Sequence, residues 1–231
     1  MKYSVIIPVY NNFELTDNCL SSLQSTDDRG EIIVVDNGST DETSQMLAEK
    51  HPNVRYIRLS ENKGYPIAVN TGLRESQFNL LILMNNDIIA HPEFWERIGA
   101  VTPETETSLI GQTGGMLDHN AVFRNSVREQ DGIYPTFIEG YLLFFNRQLL
   151  QRVGYLDEAF SPYYADDSDF SIRAQQIGYS LRLIDGLVTH LGGATTQQQG
   201  DAKYWSDKNT VYLHWKWFDL FYNSDTILHL V

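Results

Sequence analysis

The sequence predicts an α/β domain whose mostly parallel sheet is flanked by helices, and three observations support that fold class. Short apolar runs alternate with helical patterns over about the first hundred residues, as in successive strand–helix–strand units. Residues 80–84 ("LLILM") are wholly apolar, as expected of a parallel strand that is buried on both faces. With 231 residues, of which 42% are hydrophobic, the chain has enough material for one large core.

The elements of the first half follow from this alternation. Strands are predicted at residues 3–9, 31–36, 54–59 and 79–84, with helices between them at 13–25, 40–50 and 66–75. The stretch "STDET" (39–43) has the hydroxyl and acidic residues that are typical of a helix start. A further helix is predicted at 91–101, because Pro92 is tolerated in a first helical turn.

The second half is less regular. Three glycines open a polar stretch between residues 111 and 131, which predicts a hairpin or loops. A strand at 141–146, helices at 147–153 and 168–177, and strand-like segments at 180–184 and 187–191 follow. Residues 192–202 ("GGATTQQQGDA") are interpreted as a loop, and a final helix is expected from residue 203 onward.

Composition excludes several classes of protein. The formal net charge of −13 disfavours a nucleic-acid partner, because phosphate backbones are bound largely by lysine and arginine. Cys19 is the only cysteine, so an intrachain disulfide is excluded and a reducing compartment is expected. Apolar runs stay below 18 residues, which predicts no membrane-spanning helix. We therefore expect a cytoplasmic protein that binds no nucleic acid.

Acidic, amide and imidazole side chains fall at the predicted strand ends. Asp87 follows the apolar strand 79–84, and His190 ends another strand-like segment. Ligands of open α/β sheets bind at the carboxyl ends of the strands. Oxygen and imidazole ligands of this kind suit Mg²⁺ or Mn²⁺, which keep positions open for a diphosphate. A separate carboxylate is needed as a base, and the predicted loop before the 168–177 helix supplies Asp166 and Asp167.

Each of these residues also has a structural interpretation. Asp36 would only turn the chain, Asp87 would cap a helix, His190 would be a structural histidine, and Asp169 with Arg173 would form a surface ion pair. The combination nevertheless favours metal-assisted transfer from a nucleotide diphosphate. No G-x-G-x-x-G follows the first strand and no G-x-x-x-x-G-K-[ST] occurs, which disfavours nicotinamide and ATPase chemistry.

Five segments stand out by their order and spacing: "SVIIPVYNN", "IIVVDNGSTDET", "ENKGYPIAVNTGL", "LILMNNDIIAHPEF" and "VGYLDEAFSPYYADDSDFSIRAQQIGYSLRLI". Together they resemble the family 2 glycosyltransferases over about residues 3–217, and the rhamnosyltransferase-like branch of bacteria is the most similar. The resemblance implies the GT-A fold and inversion at the anomeric carbon. It also implies one continuous domain with a nucleotide-sugar-binding half (1–110), an acceptor-binding and catalytic-base half (111–200) and a C-terminal aromatic helix (201–231).

The resemblance further implies which residues bind the donor. Pro8 and Tyr10 would border the nucleotide base, Asp36 would bond the base or ribose, and Gly140 would lie where the backbone nears the sugar. Tyr10 has a structural alternative, as a half-buried aromatic at a strand end. The remaining residues assigned to the nucleotide pocket are Asn62, Lys63, Gly64 and Asn70.

"NND" stands where the family keeps its D-x-D metal motif. Asp87 and His190 would hold Mn²⁺ or Mg²⁺, and Asn86 would lie near the ribose or sugar. Asn85 replaces the first acid of the motif, and a neutral amide is a weaker metal ligand than a carboxylate. The segment 192–200 would close over the bound donor.

"ADD" (165–167) occupies the place of the x-E-D motif, which makes Asp167 the expected general base and leaves Asp166 to orient it or touch the acceptor. Two adjacent carboxylates should raise the pKa of at least one of them. Arg173 is interpreted either as a brace for this region or as half of a plain ion pair.

The expected donor is a UDP-sugar or dTDP-rhamnose, and the expected acceptor is a glycan or lipid-linked hydroxyl in cell-surface polysaccharide synthesis. One alternative is a sugar nucleotidyltransferase, but "PVYNNFEL" lacks the glycine- and arginine-rich loop that such enzymes carry after the first strand. The other is a degenerate relative that binds nucleotide or glycan without catalysis, which Asn85 supports.

The C-terminal helix is apolar almost all round. Leu213, Trp217, Leu220 and Phe221 share one face, and Tyr212, Trp215 and Tyr222 occupy much of the other, so we expect cover on several sides. Packing against the domain together with a homodimer contact would provide it. A membrane surface at the inner leaflet or a downstream domain is the alternative.

Overall fold

The computed structural model describes residues 2–23, 30–192 and 201–222. Its strands are β1 (Tyr3–Val9), β2 (Glu31–Asp36), β3 (Arg55–Arg58), β4 (Leu80–Met84), β5 (Ile88–Ala90), β6 (Ser108–Gly111), β7 (Gly114–Leu117), β8 (Phe123–Val127), β9 (Phe137–Ile138), β10 (Leu142–Asn146), β11 (Ser180–Leu183) and β12 (Val188–His190). Its α-helices are α1 (Phe13–Leu23), α2 (Thr43–Lys50), α3 (Tyr65–Glu75), α4 (Phe94–Val101), α5 (Arg147–Val153), α6 (Asp166–Gln176), α7 (Ala202–Lys216) and α8 (Phe218–Tyr222). Short 3₁₀ turns lie at Thr102–Glu106, Glu129–Asp131 and Glu158–Phe160.

Seven strands form the central sheet in the order β11-β6-β10-β4-β1-β2-β3. Every neighbouring pair is parallel except the two pairs made by β10, which runs against β4 and β6. A mostly parallel sheet flanked by helices is the fold class that the sequence predicts, and it is confirmed. Two small sheets accompany it: β12 pairs with β5, and β7 pairs with β8 and β9.

The central strands are buried on both faces, and their residues alternate between two cores. Val5 and Ile7 of β1 belong to one apolar cluster with α1 and α4, whereas Ile6 belongs to the other with α3, α5 and α6. Strand β4 divides in the same way, since Ile82 faces the first cluster and Leu81 the second. The period of two in a strand thus explains why these segments are almost continuously apolar.

Helix α6 begins earlier than predicted. It starts at Asp166, so Asp166 and Asp167 lie in its first turn and not in the preceding loop. The unpaired backbone N–H groups of a first turn stabilise negative charge, which favours acids there. The predicted surface pair of Asp169 with Arg173 is also wrong in its exposure, because Asp169 is fully buried.

The C-terminal helix is covered on one face only. Leu213 and Phe221 are buried with Phe160 and Ile172, and Trp217, Leu220 and Tyr212 pack partly against that cluster. Within the described single chain, Trp215 and Tyr222 remain 72% and 73% exposed, and the expected cover by a partner or a membrane surface stays a prediction. The helix is also interrupted, because α7 ends at Lys216 and α8 starts at Phe218. Within the residues that the structure describes, no helix is both long and apolar enough to cross a bilayer.

Candidate active site

A cavity of about 580 Å³ opens at the carboxyl ends of the central parallel strands. Pro8 lines it from the end of β1, Asn37 from the turn after β2, and Asp87 from the segment after β4. Further lining residues come from the start of α6, from the β7–β8 hairpin and from α7. Of the residues that the sequence assigns to the site, those in the lining are Pro8, Tyr10, Asn62, Asn85, Asn86, Asp87, Gly140, Asp166, Asp167 and His190.

Asp87 and His190 meet although 103 positions separate them in the sequence. Oδ1 of Asp87 lies 3.2 Å from Nε2 of His190, and the side chains are only 6% and 27% exposed. The antiparallel pairing of β5 with β12 brings them together, because His190 is opposite Ile88 and the Leu191 N–H donates to the Asp87 carbonyl. The ring of His190 stacks on Tyr141 with centroids 4.2 Å apart, which fixes its orientation.

Several buried polar atoms around Asp87 make no hydrogen bond. Among the described residues, Oδ1 of Asp87, Nε2 of His190 and Oδ1 of Asn85 take part in no hydrogen bond. The contact of Asp87 with His190 is short enough for an ion pair, but its angles do not make a hydrogen bond. Buried polar atoms normally make hydrogen bonds, so ligand-type atoms that make none fit a hard divalent cation at this site.

A cation at this site would need ligands in addition to the protein's side chains. In the described parts of the chain, no group of three or more acidic, histidine or cysteine side chains could hold a metal ion. Two such ligands plus an amide oxygen leave coordination positions open, and Mg²⁺ and Mn²⁺ sites that bind phosphates have this character.

Asp167 is held in the cavity by two backbone hydrogen bonds. Its Oδ2 accepts the Gly140 N–H at 2.8 Å, and its Oδ1 accepts the Ser168 N–H at 2.7 Å. Gly140 must be small here, because a Cβ would lie 3.1 Å from the Asp167 Cβ. The hydroxyl of Tyr65, the first residue of α3, donates to the Gly140 carbonyl at 3.1 Å. The carboxylate of Asp167 therefore has a defined direction.

Burial raises the pKa of both acids at the start of α6. The pKa of Asp166 lies well above its ordinary value because the carboxyl is buried and because the charge of Asp167 is adjacent. Burial raises the pKa of Asp167 as well, although the N–H groups of Gly140 and Ser168 lower it in part. The sequence-based prediction that adjacency raises at least one pKa is confirmed.

Asn37 organises the side of the cavity at the end of β2. Its Oδ1 accepts the Lys63 N–H at 2.9 Å, and its Nδ2 donates to Asn62 Oδ1 at 2.9 Å and to the Gly64 carbonyl at 3.2 Å. These bonds dock the 62–64 turn on the end of β2. Asn86 is tied to α1 in a similar way, because its Nδ2 donates to Thr16 Oγ1 at 3.0 Å.

Four residues that the sequence assigns to the nucleotide pocket lie outside the lining. Asp36 is fully buried behind Asn37, and its carboxylate accepts hydrogen bonds from Tyr56 Oη at 2.6 Å, Arg58 Nη1 at 2.8 Å and the Ser39 N–H at 2.7 Å. The other three are Lys63, Gly64 and Asn70.

Asn70 connects α3 to a distant segment. Its Nδ2 donates to the Leu156 carbonyl and to Glu158 Oε1, both at 2.9 Å, and its Oδ1 accepts the Leu156 N–H at 3.0 Å. Gly64 has φ of +94°, and a Cβ there would lie 2.8 Å from Pro162 Cα. Both residues thus support the region before α6. The predicted loop over the donor lies mostly in 193–200, outside the described residues.

Sequence reasoning missed Glu139, which lines the cavity directly before Gly140. Burial raises its pKa, and the negative charge of Asp167 raises it further, so the two acids share one environment. The Ser126 hydroxyl donates to the Glu139 carboxylate. A charged residue directly before the apolar strand in "EGYLLFF" was the available signal.

Aromatic residues form the other part of the lining that the sequence did not indicate. Phe123 is 51% exposed and packs edge-on against Phe137, and Tyr164 is 39% exposed beside Tyr163. Helix α7 completes this wall with Ser206, Thr210 and Leu213. Partly exposed aromatic rings at a cavity are typical of ligand sites.

Comparison with known proteins gives a family match. A family profile described as "Glycosyl transferase family 2" matches residues 4–150. The "Uncharacterized glycosyltransferase YfnE" of Bacillus subtilis is 28% identical over 251 aligned residues, which cover 82% of this chain and 64% of the relative. A "Dolichol-phosphate mannosyltransferase" of Pyrococcus furiosus is 38% identical over 140 residues, covering 55% of this chain and 38% of the relative. The chain thus spans less than two thirds of the length of either relative.

A solved structure extends the likeness to nearly the whole chain. The crystal structure of GalNAc-T7 with UDP, GalNAc and Mn²⁺ matches with a TM-score of 0.75 at 14% identity. The match covers 96% of this chain and 50% of that one. At this identity the likeness shows the fold, and it confirms the GT-A fold that the sequence resemblance predicts.

Proposed function

The chain belongs to glycosyl transferase family 2, and on that premise we propose that it is an inverting, metal-dependent glycosyltransferase. It moves a sugar from a nucleotide-diphosphate donor to a hydroxyl of a glycan or lipid-linked acceptor in polysaccharide or lipid-linked glycan synthesis. The lipid-linked option is supported by the name of the Pyrococcus furiosus relative, a dolichol-phosphate mannosyltransferase. The Mn²⁺ and UDP of the GalNAc-T7 structure support the choice of metal and donor class.

One observation carries this proposal. The Asp87 and His190 atoms that make no hydrogen bond and the hydrogen-bonded Asp167 carboxylate line the same cavity. Group transfer from a nucleotide diphosphate needs both, since the leaving group requires charge neutralisation and the acceptor hydroxyl requires a base.

Asp87 and His190 would hold Mn²⁺ or Mg²⁺, and that cation supplies positive charge to the departing diphosphate. Asp167 accepts the proton of the acceptor hydroxyl while the hydroxyl oxygen bonds the anomeric carbon. The bond between that carbon and the diphosphate oxygen breaks, and its electrons leave with the diphosphate. A single displacement from the face opposite the leaving group inverts the anomeric configuration.

Burial and the adjacent Asp167 charge raise the pKa of Asp166 well above its ordinary value. This favours a single negative charge on the pair, and we assign that charge to Asp167. A neutral acid beside the base avoids a second uncompensated negative charge in the cavity. Asp166 therefore orients the base region without competing for the acceptor proton.

Donor recognition is assigned to the wall built by the ends of β1, β2 and β4. Pro8 and Tyr10 border the base, Asn62 is presented to the nucleotide by Asn37, and Asn85 and Asn86 lie toward the sugar and its phosphates. Asp36 supports this wall indirectly. Its carboxylate accepts hydrogen bonds from Arg58, Tyr56 and the backbone of Ser39. Lys63, Gly64 and Asn70 support the wall in the same indirect way.

The test is donor turnover by the purified protein with a panel of UDP-, dTDP- and GDP-sugars, each with Mn²⁺, with Mg²⁺ and with a chelator. We expect release of one class of nucleotide only when a divalent ion is present, and a product of inverted configuration when a glycan acceptor is added. Tight nucleotide binding without release from any donor would instead identify a protein that binds nucleotide and does no chemistry.

A further inference from the structure

The segment directly before Asp166 is anchored by helix α7. Asn209 is fully buried, and its Nδ2 donates to the carbonyl oxygens of Phe160 at 2.6 Å, Tyr163 at 2.8 Å and Tyr164 at 3.3 Å. One amide group thereby fixes three of the five peptide carbonyls between residues 160 and 164. Buried carbonyls that lose a donor are costly, so the segment depends on this side chain.

The same segment is held from the donor half of the molecule. The N–H of Tyr65 donates to the Pro162 carbonyl at 2.7 Å, and Gly64 packs against Ser161 and Pro162 at a distance that leaves no room for a Cβ. Helix α7 on one side and the start of α3 on the other therefore clamp residues 160–164 between them.

The end of helix α7 also contacts Asp169, which lies two positions after Asp167. Asp169 is fully buried and accepts from Lys216 Nζ at 2.7 Å, from Trp217 Nε1 at 2.9 Å and from Arg173 Nε at 2.9 Å. Lys216 additionally contacts Asp157 at 2.7 Å. The end of α7 thus holds the first turn of α6 downstream of Asp167, as Asn209 holds the chain upstream of it.

The backbone between these anchors has an unfavourable conformation. Tyr164 and Ala165 have φ values of +78° and +67°, in the left-handed region that L-residues with a side chain avoid. Such a conformation persists only where surrounding contacts impose it. It turns the chain into α6 so that Asp167 reaches the Gly140 N–H.

We propose that Asn209 is a positioning residue for Asp167: by fixing the carbonyls of residues 160–164 it sets the entry of the chain into α6 and so the direction of the carboxylate in the cavity. Asn209 is absent from the cavity lining and does not touch the reacting atoms. The inference rests on the proposed function, in which Asp167 is the base.

The experiment compares Asn209→Ala with the wild-type chain, using hydrolysis of whichever of UDP-glucose, UDP-N-acetylglucosamine, GDP-mannose and dTDP-rhamnose the wild type turns over fastest with Mn²⁺. We expect kcat to fall by roughly 10- to 100-fold, as for a reacting group displaced by about an ångström, while the KM for donor and the Kd for nucleotide change by less than about twofold. The acidic limb of the pH–rate profile should move to higher pH, because a displaced Asp167 loses the Gly140 N–H bond that lowers its pKa.

Phe221→Ala is the matched control. Phe221 is 7% exposed in the same apolar cluster as Leu213 and Phe160, so its truncation should lower the melting temperature without removing any hydrogen bond to residues 160–164. It should leave kcat and the acidic limb unchanged well below the melting temperature. If Asn209→Ala fails to fold, Asn209→Ser keeps a shorter donor at the site and should show the same effects at smaller size.

The outcomes separate the two proposals. If Asp167→Asn is inactive but the Asn209 variants keep the wild-type kcat and pH profile, the positioning role is wrong and the proposed base stands. If Phe221→Ala lowers kcat as much as Asn209→Ala, the effect is one of general stability and the positioning role is also wrong. If Asp167→Asn retains wild-type turnover, or the wild type hydrolyses none of the four donors, the proposed function itself falls and this inference with it.

Discussion

Two sides of the cavity differ in how their polar atoms are paired. After their proposed roles, we call the side with Asp87 and His190 the metal wall and the side with Asp167 the base wall. On the metal wall, among the described residues, Oδ1 of Asp87 and Nε2 of His190 make no hydrogen bond although both are buried. On the base wall, both oxygens of Asp167 accept backbone N–H groups. Ligand atoms must stay free for a cation to bind, whereas a base must keep one direction toward its substrate. The difference in pairing therefore agrees with the two roles that we propose.

The walls also differ in what holds them. Asp87 and His190 are positioned by the backbone hydrogen bonds that join β12 to β5 and Leu191 to Asp87. The base wall depends on tertiary hydrogen bonds from α3 and α7 to a short segment with two left-handed residues. We expect the base wall to be the more sensitive of the two to substitutions remote from the cavity.

The largest effect is expected for Asp167→Asn, which removes the base and keeps its size. Transfer should fall by about 10³-fold, within the range that a lost general base produces, because the acceptor hydroxyl keeps its proton. Nucleotide affinity with Mn²⁺, measured by calorimetry, should match that of the wild type. A variant that retained more than a tenth of the wild-type rate would contradict the assignment of the base wall.

Asp87→Asn should weaken the metal-dependent affinity for nucleotide. We expect affinity in Mn²⁺ to weaken by about 100-fold, since removing one charge of a buried charged site typically costs several kcal/mol. Affinity without metal should change little. Asp207→Asn is the control, because Asp207 pairs with Lys203 on the exposed side of α7. Equal losses with and without metal would show that Asp87 does not act through a cation.

Gly140→Ala tests how closely Asp167 is packed against the backbone at residue 140. The new Cβ would lie 3.1 Å from the Asp167 Cβ and must displace it by a few tenths of an ångström, so kcat should fall by about tenfold with nucleotide affinity retained. Gly99→Ala in α4 is the matched control, since a Cβ there meets no atom within 4 Å and alanine favours a helix. Wild-type kcat for Gly140→Ala would show that the base tolerates movement.

The smallest effect is expected for Asp166→Asn, because burial and the Asp167 charge favour the protonated form of Asp166 and an amide has nearly the same shape as that form. The active form needs Asp167 ionised, so the wild-type rate should decline as the pH falls through the raised pKa of Asp167. In Asp166→Asn this acidic limb should stay in place and kcat should change by less than about threefold, as expected when no charge changes. A loss as large as that of Asp167→Asn would make Asp166 the base.

Strands and their ligand-bearing ends could be predicted closely. The predicted bounds of β1, β2 and α5 agree with the structure, and β4 differs by one residue. These segments have strong local patterns, since a parallel strand buried on both faces must be apolar at almost every position. The position of Asp87 after β4 follows from that pattern, because parallel strands present their carboxyl ends at one edge.

Hydrogen-bond partners could not be predicted. Asn70 was assigned to the nucleotide pocket, but its amide is used by Leu156 and Glu158, which lie more than 80 positions away. Asp36 likewise gives its carboxylate to Arg58 and Tyr56 of a neighbouring strand. A local sequence pattern does not indicate which distant group will form a hydrogen bond with a buried side chain.

The sequence by itself determined the order of the elements, the two-sided burial of the sheet and the edge at which acids and amides collect, because each depends on periodicity within a few residues. Only the tertiary structure decided which of those polar atoms are left free and which are fixed. That distinction arises where remote segments meet: β12 against β5 for the metal wall, and α3 and α7 against residues 160–164 for the base wall. Pairing of polar groups is a long-range property, and it is the basis on which we propose different chemistry for the two walls.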